Sequence, residues 1–328
     1  MIGYIIKRIL YMIPTLFGIS FVAFFIIELP PGDFVTSYVA QLESSGGAVS
    51  DAQVQALKDR FGVDKPFYVK YFKWMSGLLK GELGRSLQFD MPTMDLIKQR
   101  FPVSLWLALA CLVFLYAVAI PIAIYSATHQ YTIGDYSVTF LGFVGVGIPS
   151  FLSALLFIFL FYTFTGQAQL GLFSREFVNA PWSFAKMWDL IAHTWVPILI
   201  ISAAPIASTI RQMRANLLDE LEKPYVTVAR SKGLAERTLL YKYPVRIALN
   251  PIISTVGWTL PALINNMLLA CLVLGIPSSA PILLNALLTQ DMYLAGSIIF
   301  LISILTVVGT LVSDLLLGIF DPRIRNAI

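Results

Sequence analysis

Apolar residues in this chain gather into long unbroken runs rather than the alternating or 3.6-residue stripes of a soluble fold. Six runs, at 9–29, 102–126, 136–165, 192–211, 251–276 and 292–319, come near the length at which a helix crosses a bilayer. The pattern predicts an all-α polytopic membrane protein with six transmembrane helices. It divides into 1–29 (N-terminus and first span), a helical extracytoplasmic insertion at 30–100, a five-helix body at 101–320 and a tail at 321–328. The body contains a polar loop at 212–250.

Within the insertion, Ser50 and Gln53 have capping-box spacing, and Val54, Leu57 and Phe61 come after them at helical intervals. Pro66 stands where a first helical turn tolerates it, ahead of Tyr68, Tyr71, Phe72, Met75, Leu78 and Leu79. Gly81 and Gly84 then punctuate the run Gly-Glu-Leu-Gly-Arg-Ser. Two readings are open: an amphipathic cap on the outer membrane face, or a docking platform for an external substrate-delivering protein.

Residues 218–244 are the longest stretch in the second half that a bilayer could not hold; they carry Lys223, Arg230, Lys232, Arg237 and Lys242. Pro224 interrupts one helical pattern and Gly233 can cap the next. Between them Tyr225–Lys232 form a helix of about eight residues, roughly 12 Å long. So short a helix is marginal alone in water and needs something to pack against. The partner expected is another protein on the cytoplasmic side.

Composition excludes the soluble globular class, with 57% hydrophobic residues, 13% charged and a mean hydropathy of +0.76. A net charge of +4, seated in loops, does not imply nucleic acid. Cys111 and Cys271 lie inside apolar runs as small buried thiols, not as a disulfide framework. Lys7 and Arg8 precede a first run too long for a signal peptide, and Pro30-Pro31-Gly32 replaces a cleavage site, so an uncleaved span is expected. The basic residues of 211–246, with Lys7, Arg8, Arg323 and Arg325, outweigh Arg175 and Lys186 of the short outer loops. That bias puts both termini in the cytoplasm.

Catalytic constellations do not emerge. His129 and His193, the only histidines, match no zinc-binding spacing, and the chain has no Gly-Lys pair for a phosphate loop and no G-x-S-x-G elbow. An intramembrane enzyme is therefore disfavoured, and any ATP-driven process needs its ATPase on another chain. Gly142, Gly145, Gly147, Ile148 and Pro149 interrupt the third run, permitting close helix approach and freeing a carbonyl. In the fifth run Pro261 precedes Asn265 and Asn266, amides that are costly at mid-membrane unless bonded across helices or facing water. Cross-helix bonding and pathway lining both remain open. An ion-coupled secondary transporter would want acids at that depth, where amides stand. Asp314 is expected to pair with a cytoplasmic basic group; Glu28 is given no role.

Several motifs occur in order: Ile6-Lys-Arg-Ile9, Pro31-Gly-Asp33, Phe61-Gly-Val-Asp-Lys-Pro66, Gly81-Glu-Leu-Gly-Arg-Ser86 and Gly147-Ile-Pro-Ser150. Tyr225-Val-Thr-Val-Ala-Arg-Ser-Lys-Gly-Leu234, Arg246, Asn250-Pro251 and Asp321-Pro-Arg-Ile-Arg325 complete the series. Over nearly its whole length the chain resembles the B-type permease of the heterodimeric pair in the dipeptide, oligopeptide and nickel branch of bacterial ABC importers. The resemblance implies a type-1 importer permease working by alternating access in the bacterial inner membrane. It also implies a second homologous permease, an extracytoplasmic solute-binding protein, and two ABC ATPase subunits that carry the ATP and Mg, this chain binding no cofactor. Tyr225–Lys232 resembles the coupling motif E-A-A-x-x-x-G, with Thr227 and Val228 in place of Glu and the first Ala, and Ala229 and Gly233 retained. By that likeness the helix seats in a cleft of the ATPase. Tyr225 and Val228 would give apolar contact, Ala229 close approach, Arg230 and Lys232 charge for acidic partners, and Gly233 the turn. Anchoring against anionic lipid is the other reading of the basic residues. Gly275–Asn285 departs from the Pro-Gly-Leu-Gly-like turn of many relatives, so oligosaccharides or opines stand beside peptides as expected cargo. With no His or Cys cluster, nickel is disfavoured.

Overall fold

The computed structural model describes residues 2–30, 32, 34–44, 50–61, 65–167 and 170–320. Pro31, Asp33, Gly62–Asp64 and the Asp321–Arg325 motif lie outside the described residues, as do the side chains of Ile6, Lys7, Ile9, Gln53, Leu57 and Phe61. The first half holds α1 (Ile2–Glu28), α2 (Phe34–Ser44), α3 (Asp51–Phe61), α4 (Phe67–Leu79), α5 (Thr93–Thr128), α6 (Ile133–Gly147) and α7 (Ser150–Thr165). The second holds α8 (Phe184–Leu221), α9 (Pro224–Ser231), α10 (Glu236–Lys242), α11 (Pro244–Ala248), α12 (Asn250–Val273), α13 (Ser279–Leu288) and α14 (Met292–Phe320).

Among the described residues five helices, α1, α5, α8, α12 and α14, are long and apolar enough to cross a membrane. The single third span expected at 136–165 is instead the pair α6 and α7, bent by 99°. The count becomes six only if that pair is one span. The cause is local. A residue before proline is driven out of the helical region, and Ile148, ahead of Pro149, is extended at φ −101° and ψ 119°. At ~1.5 Å per residue neither half alone spans the ~30 Å hydrocarbon core. Helices α2 and α13 are further additions, the latter lying where the sequence suggested only an outer connection.

The chain forms two compact units. One comprises Ile9–Ser104 with Ser278–Ile304. Here α4 lies on α1 through aromatic rings, Phe21 edge-on to Tyr71 at 5.2 Å and Phe24 tilted against Trp74 at 5.6 Å between centroids. The Tyr71 hydroxyl shares a hydrogen bond with Ser20 Oγ at 2.9 Å, and Trp74 Nε1 donates to Ser297 Oγ at 3.2 Å. Glu28 pairs with the buried Lys70, whose pKa burial lowers. Glu28 thus helps hold the insertion to the first span.

The Gly81–Ser86 motif also finds its purpose in this unit. Gly81 and Gly84 take φ of +80° and +79°, a region glycine enters without penalty. A Cβ on Gly84 would stand 3.0 Å from the Tyr293 ring. The turn they make delivers Ser86 Oγ to Asp291 Oδ2 at 2.5 Å, and the Gln88 amide donates to the same oxygen at 3.1 Å. Asp291 Oδ1 in turn accepts the Leu294 amide at 3.2 Å, capping the first turn of α14. Burial raises the pKa of this carboxyl, and the Ser86 hydroxyl and main-chain amides pull it back.

The other unit comprises Met1–Arg8, Leu105–Pro277 and Leu305–Ile328. Its core joins α5, α8, α11 and α12 through Ala119, Ala123, Met213, Leu217, Val245 and Ile252. Helix α6 packs on α8 where a Cβ on Gly145 would reach Ala203 O at 3.4 Å and one on Gly142 would reach Ala207 Cβ at 3.6 Å. Asp135 on α6 is clamped by Arg214 of α8, Nη2 to Oδ2 at 2.9 Å and Nε to Oδ1 at 3.1 Å, while Arg214 Nε also donates to Ser126 Oγ at 3.0 Å. Asp314 pairs with Arg8 at 2.8 Å, matching the expectation of a basic partner.

Candidate functional site

Helix α8 ends at Leu221, and Pro224 opens α9 in its first turn, where a missing N–H costs nothing. The eight residues of α9 run from Pro224 to Ser231, with Lys232 as C-cap. Gly233 comes next at φ +77°. Among the described residues, its chain neighbours aside, no atom lies within 4 Å of a Cβ placed there, so backbone conformation and not crowding calls for glycine. The predicted Tyr225–Lys232 helix is therefore present, shifted by one residue.

The short helix does not stand alone. Val226 and Leu239 are fully buried, and Ala229 is 9% exposed; together they make a small core with Tyr225 and Leu234 at its edge. Stabilisation thus comes first from α10 of the same chain, as a helix of this length requires.

The remaining face is open. Tyr225, Val228, Ala229 and Lys232, spaced i, i+3, i+4 and i+7, line one side of a groove of about 580 Å³. Glu220, Lys223, Leu234, Tyr243 and Ile247 complete it. Val228 is 54% exposed. The Tyr225 hydroxyl donates to Glu220 Oε2 at 2.6 Å. Burial, then that hydrogen bond and the Glu220 charge, raise the phenol pKa well above its usual value. Arg230 points elsewhere and grips Glu236 with two bonds, Nε to Oε1 at 2.5 Å and Nη2 to Oε2 at 3.2 Å. Each shifts the other's pKa toward the charged form, Arg230 upward and Glu236 downward.

Of the six residues singled out from the sequence, four share the groove, Gly233 makes the turn behind it, and Arg230 is engaged within the chain. Glu220, Tyr243 and Ile247 were not singled out. No local spacing marks them, because they come from α8, from the residue that caps α11 and from α11 itself.

Asn265 and Asn266 are both exposed on α12. Asn266 lines a second groove, of about 270 Å³, with residues flanking the α6–α7 bend and with Ala203 and Pro205 of α8; Asn265 does not. Ser150 Oγ donates to the main-chain oxygen of Asn266 at 3.4 Å. Among the described residues neither side-chain amide has a hydrogen-bond partner.

Among the described residues no three His, Cys, Asp or Glu side chains stand together as a metal site. What the geometry offers is a surface for association and an apolar bundle. Residues 119–326 match the model of the "Binding-protein-dependent transport system inner membrane component" family, and residues 1–108 match that of its N-terminal region. The chain belongs to this family of transport-system permeases. It is similar to the oligopeptide transport system permease protein AppB of Bacillus subtilis, 30% identical over 99% of this chain and 100% of the relative. Similarity extends to the oligopeptide permease protein OppB of Haemophilus influenzae, 28% identical over 99% of this chain and 100% of the relative. The dipeptide permease protein DppB of Escherichia coli K12 is 25% identical, with 99% of each chain covered. The protein is thus a multi-pass membrane permease component of an ABC importer, all-α and built of membrane-crossing helices.

Proposed function

We propose that this chain forms half of the translocation pathway of an ATP-driven peptide importer, working by alternating access beside a second, homologous permease. Two ABC ATPase subunits supply the nucleotide chemistry, with ATP and Mg bound there, and a solute-binding protein delivers cargo from outside. The observation that carries this reading is the groove on α9, whose wall is the coupling-motif face Tyr225, Val228, Ala229 and Lys232. An apolar strip with lysines at its rim suits a partner cleft that is apolar and acidic at the edge. Gly233 ends the helix without a side chain that could block approach. The exposed amides of Asn265 and Asn266 suit a face turned toward the pathway or the second permease, since amides turned to lipid would be costly.

Reconstitution tests the reading. In liposomes holding both permeases, with binding protein outside and ATP inside, a radiolabelled tripeptide is expected to accumulate only when the two ATPases are present. Accumulation of equal extent without them would overturn it.

The same reading places both termini and α9 in the cytoplasm of a bacterial cell and the insertion outside the inner membrane. Lys80 and Arg237 are exposed, and the native Cys111 and Cys271 are buried, which keeps background labelling low. A Lys80→Cys variant should react with an impermeant maleimide in intact cells, and Arg237→Cys only after permeabilisation. The opposite pattern would invert the orientation.

A further inference from the structure

The chain leaves α8 at Leu221 and re-enters a helix at Pro224. A break between helices, left to itself, is a joint, and a joint cannot pass motion on. Here it is bridged. The Tyr225 hydroxyl, on the first turn of α9, donates to Glu220 Oε2 at 2.6 Å from the last turn of α8. A hydroxyl-to-carboxylate bond of this length belongs to the charge-assisted class, stronger than bonds between neutral groups. The phenol is only part-exposed and its pKa lies above the usual value, so it keeps the donated proton at any physiological pH. The turn at Gly233 is bridged as well, by Arg230 and Glu236, but that pair is exposed and contributes little.

We propose that Glu220 is a positioning residue: through the Tyr225 hydroxyl it holds α9 at a fixed angle to α8, so that the groove face meets the ATPase already oriented. This inference rests on the reading of α9 as the docking helix and adds a residue that the coupling motif itself does not contain. Its physical basis is preorganisation. A helix free to swivel about residues 222–223 loses that freedom on docking, and the entropy lost weakens association. A helix already held does not.

The test is a double-mutant cycle on docking. The permease pair is placed in lipid nanodiscs, and the ATPase subunits stripped by urea from the native complex are added back and their affinity measured. Tyr225→Phe and Glu220→Leu are each expected to weaken docking about tenfold, and the double variant by about tenfold as well, since both remove one bond. Glu220→Gln, which still offers an acceptor oxygen, should recover affinity to within about threefold of the parent. A role in general stability alone would predict parallel losses of melting temperature and no recovery by glutamine. Multiplicative losses, about a hundredfold in the double variant, would mean that Tyr225 and Glu220 act separately, and would overturn the proposal. Single variants that dock like the parent would overturn it too. Val228→Asp keeps the two levels apart. Undiminished docking of Val228→Asp defeats the reading of α9 as the docking helix, whereas its loss together with a multiplicative cycle defeats only the role of Glu220.

Discussion

Ala229→Glu is expected to lower ATP-driven uptake by the complete importer about a hundredfold or more, while the protein still inserts in the membrane. Ala229 sits at the seam between the packed side of α9 and the side that lines the groove. It is 9% exposed, packs with Val226 and Leu239 inside the chain, and also forms part of the groove wall. A glutamate at that point has two places to go. Turned inward, it buries an unpaired carboxylate against Leu239 at a cost of several kcal/mol. Turned outward, it fills the groove and sets a negative charge between Lys223 and Lys232, which would bind it in place of an acidic partner. Either outcome disturbs docking far more than it disturbs the bundle, because α9 and α10 lie outside the membrane-crossing helices. Radiolabelled peptide uptake and detergent-extractable protein level are the measurements. Parental uptake from Ala229→Glu would remove the groove from the mechanism.

Asp135→Ala should carry a large cost in stability, about 1–3 kcal/mol, the usual consequence of leaving a part-buried charged donor without its acceptor. Asp135 is almost wholly buried; it accepts two bonds from Arg214 and one from the main-chain amide of Tyr131, besides a contact with Ser126 Oγ. Deleting the carboxylate leaves a half-buried guanidinium whose remaining hydrogen bond, among the described residues, is to Ser126. The result is a lower melting temperature and poorer recovery of monodisperse protein in detergent. Replacing both partners, as Asp135→Leu with Arg214→Leu, should regain much of the loss, because no charge is then left without its counterpart. If the single and double variants melt together, the pair is not what binds α5, α6 and α8.

Several of these features were legible in the residues and several were not. The break at Ile148-Pro149 was visible as an interruption, since proline acts on the residue before it. The 99° bend was not, because its size depends on how α6 and α7 each find partners. Glu28 had no assignable role in the sequence, and only α4, arriving 42 residues later with Lys70, gives it a partner. The Gly81–Ser86 motif could be recognised without being understood. Asp291, its acceptor, lies 205 residues from Ser86.

Local chemistry along the chain was enough to set the all-α class, the apolar runs, and a short helix closed by Pro224 and Gly233. Run length, side-chain hydropathy and the φ that proline and glycine allow act within a few residues, so they can be read in place. Folding in three dimensions was needed to bring Glu220, Tyr243 and Ile247 into one groove with Tyr225 and Val228, to hold Arg230 on Glu236, and to bring Arg214 to Asp135 from 79 residues away. Such meetings depend on the angles at which whole helices pack, which are set by the sum of many contacts and leave no periodic trace in the chain.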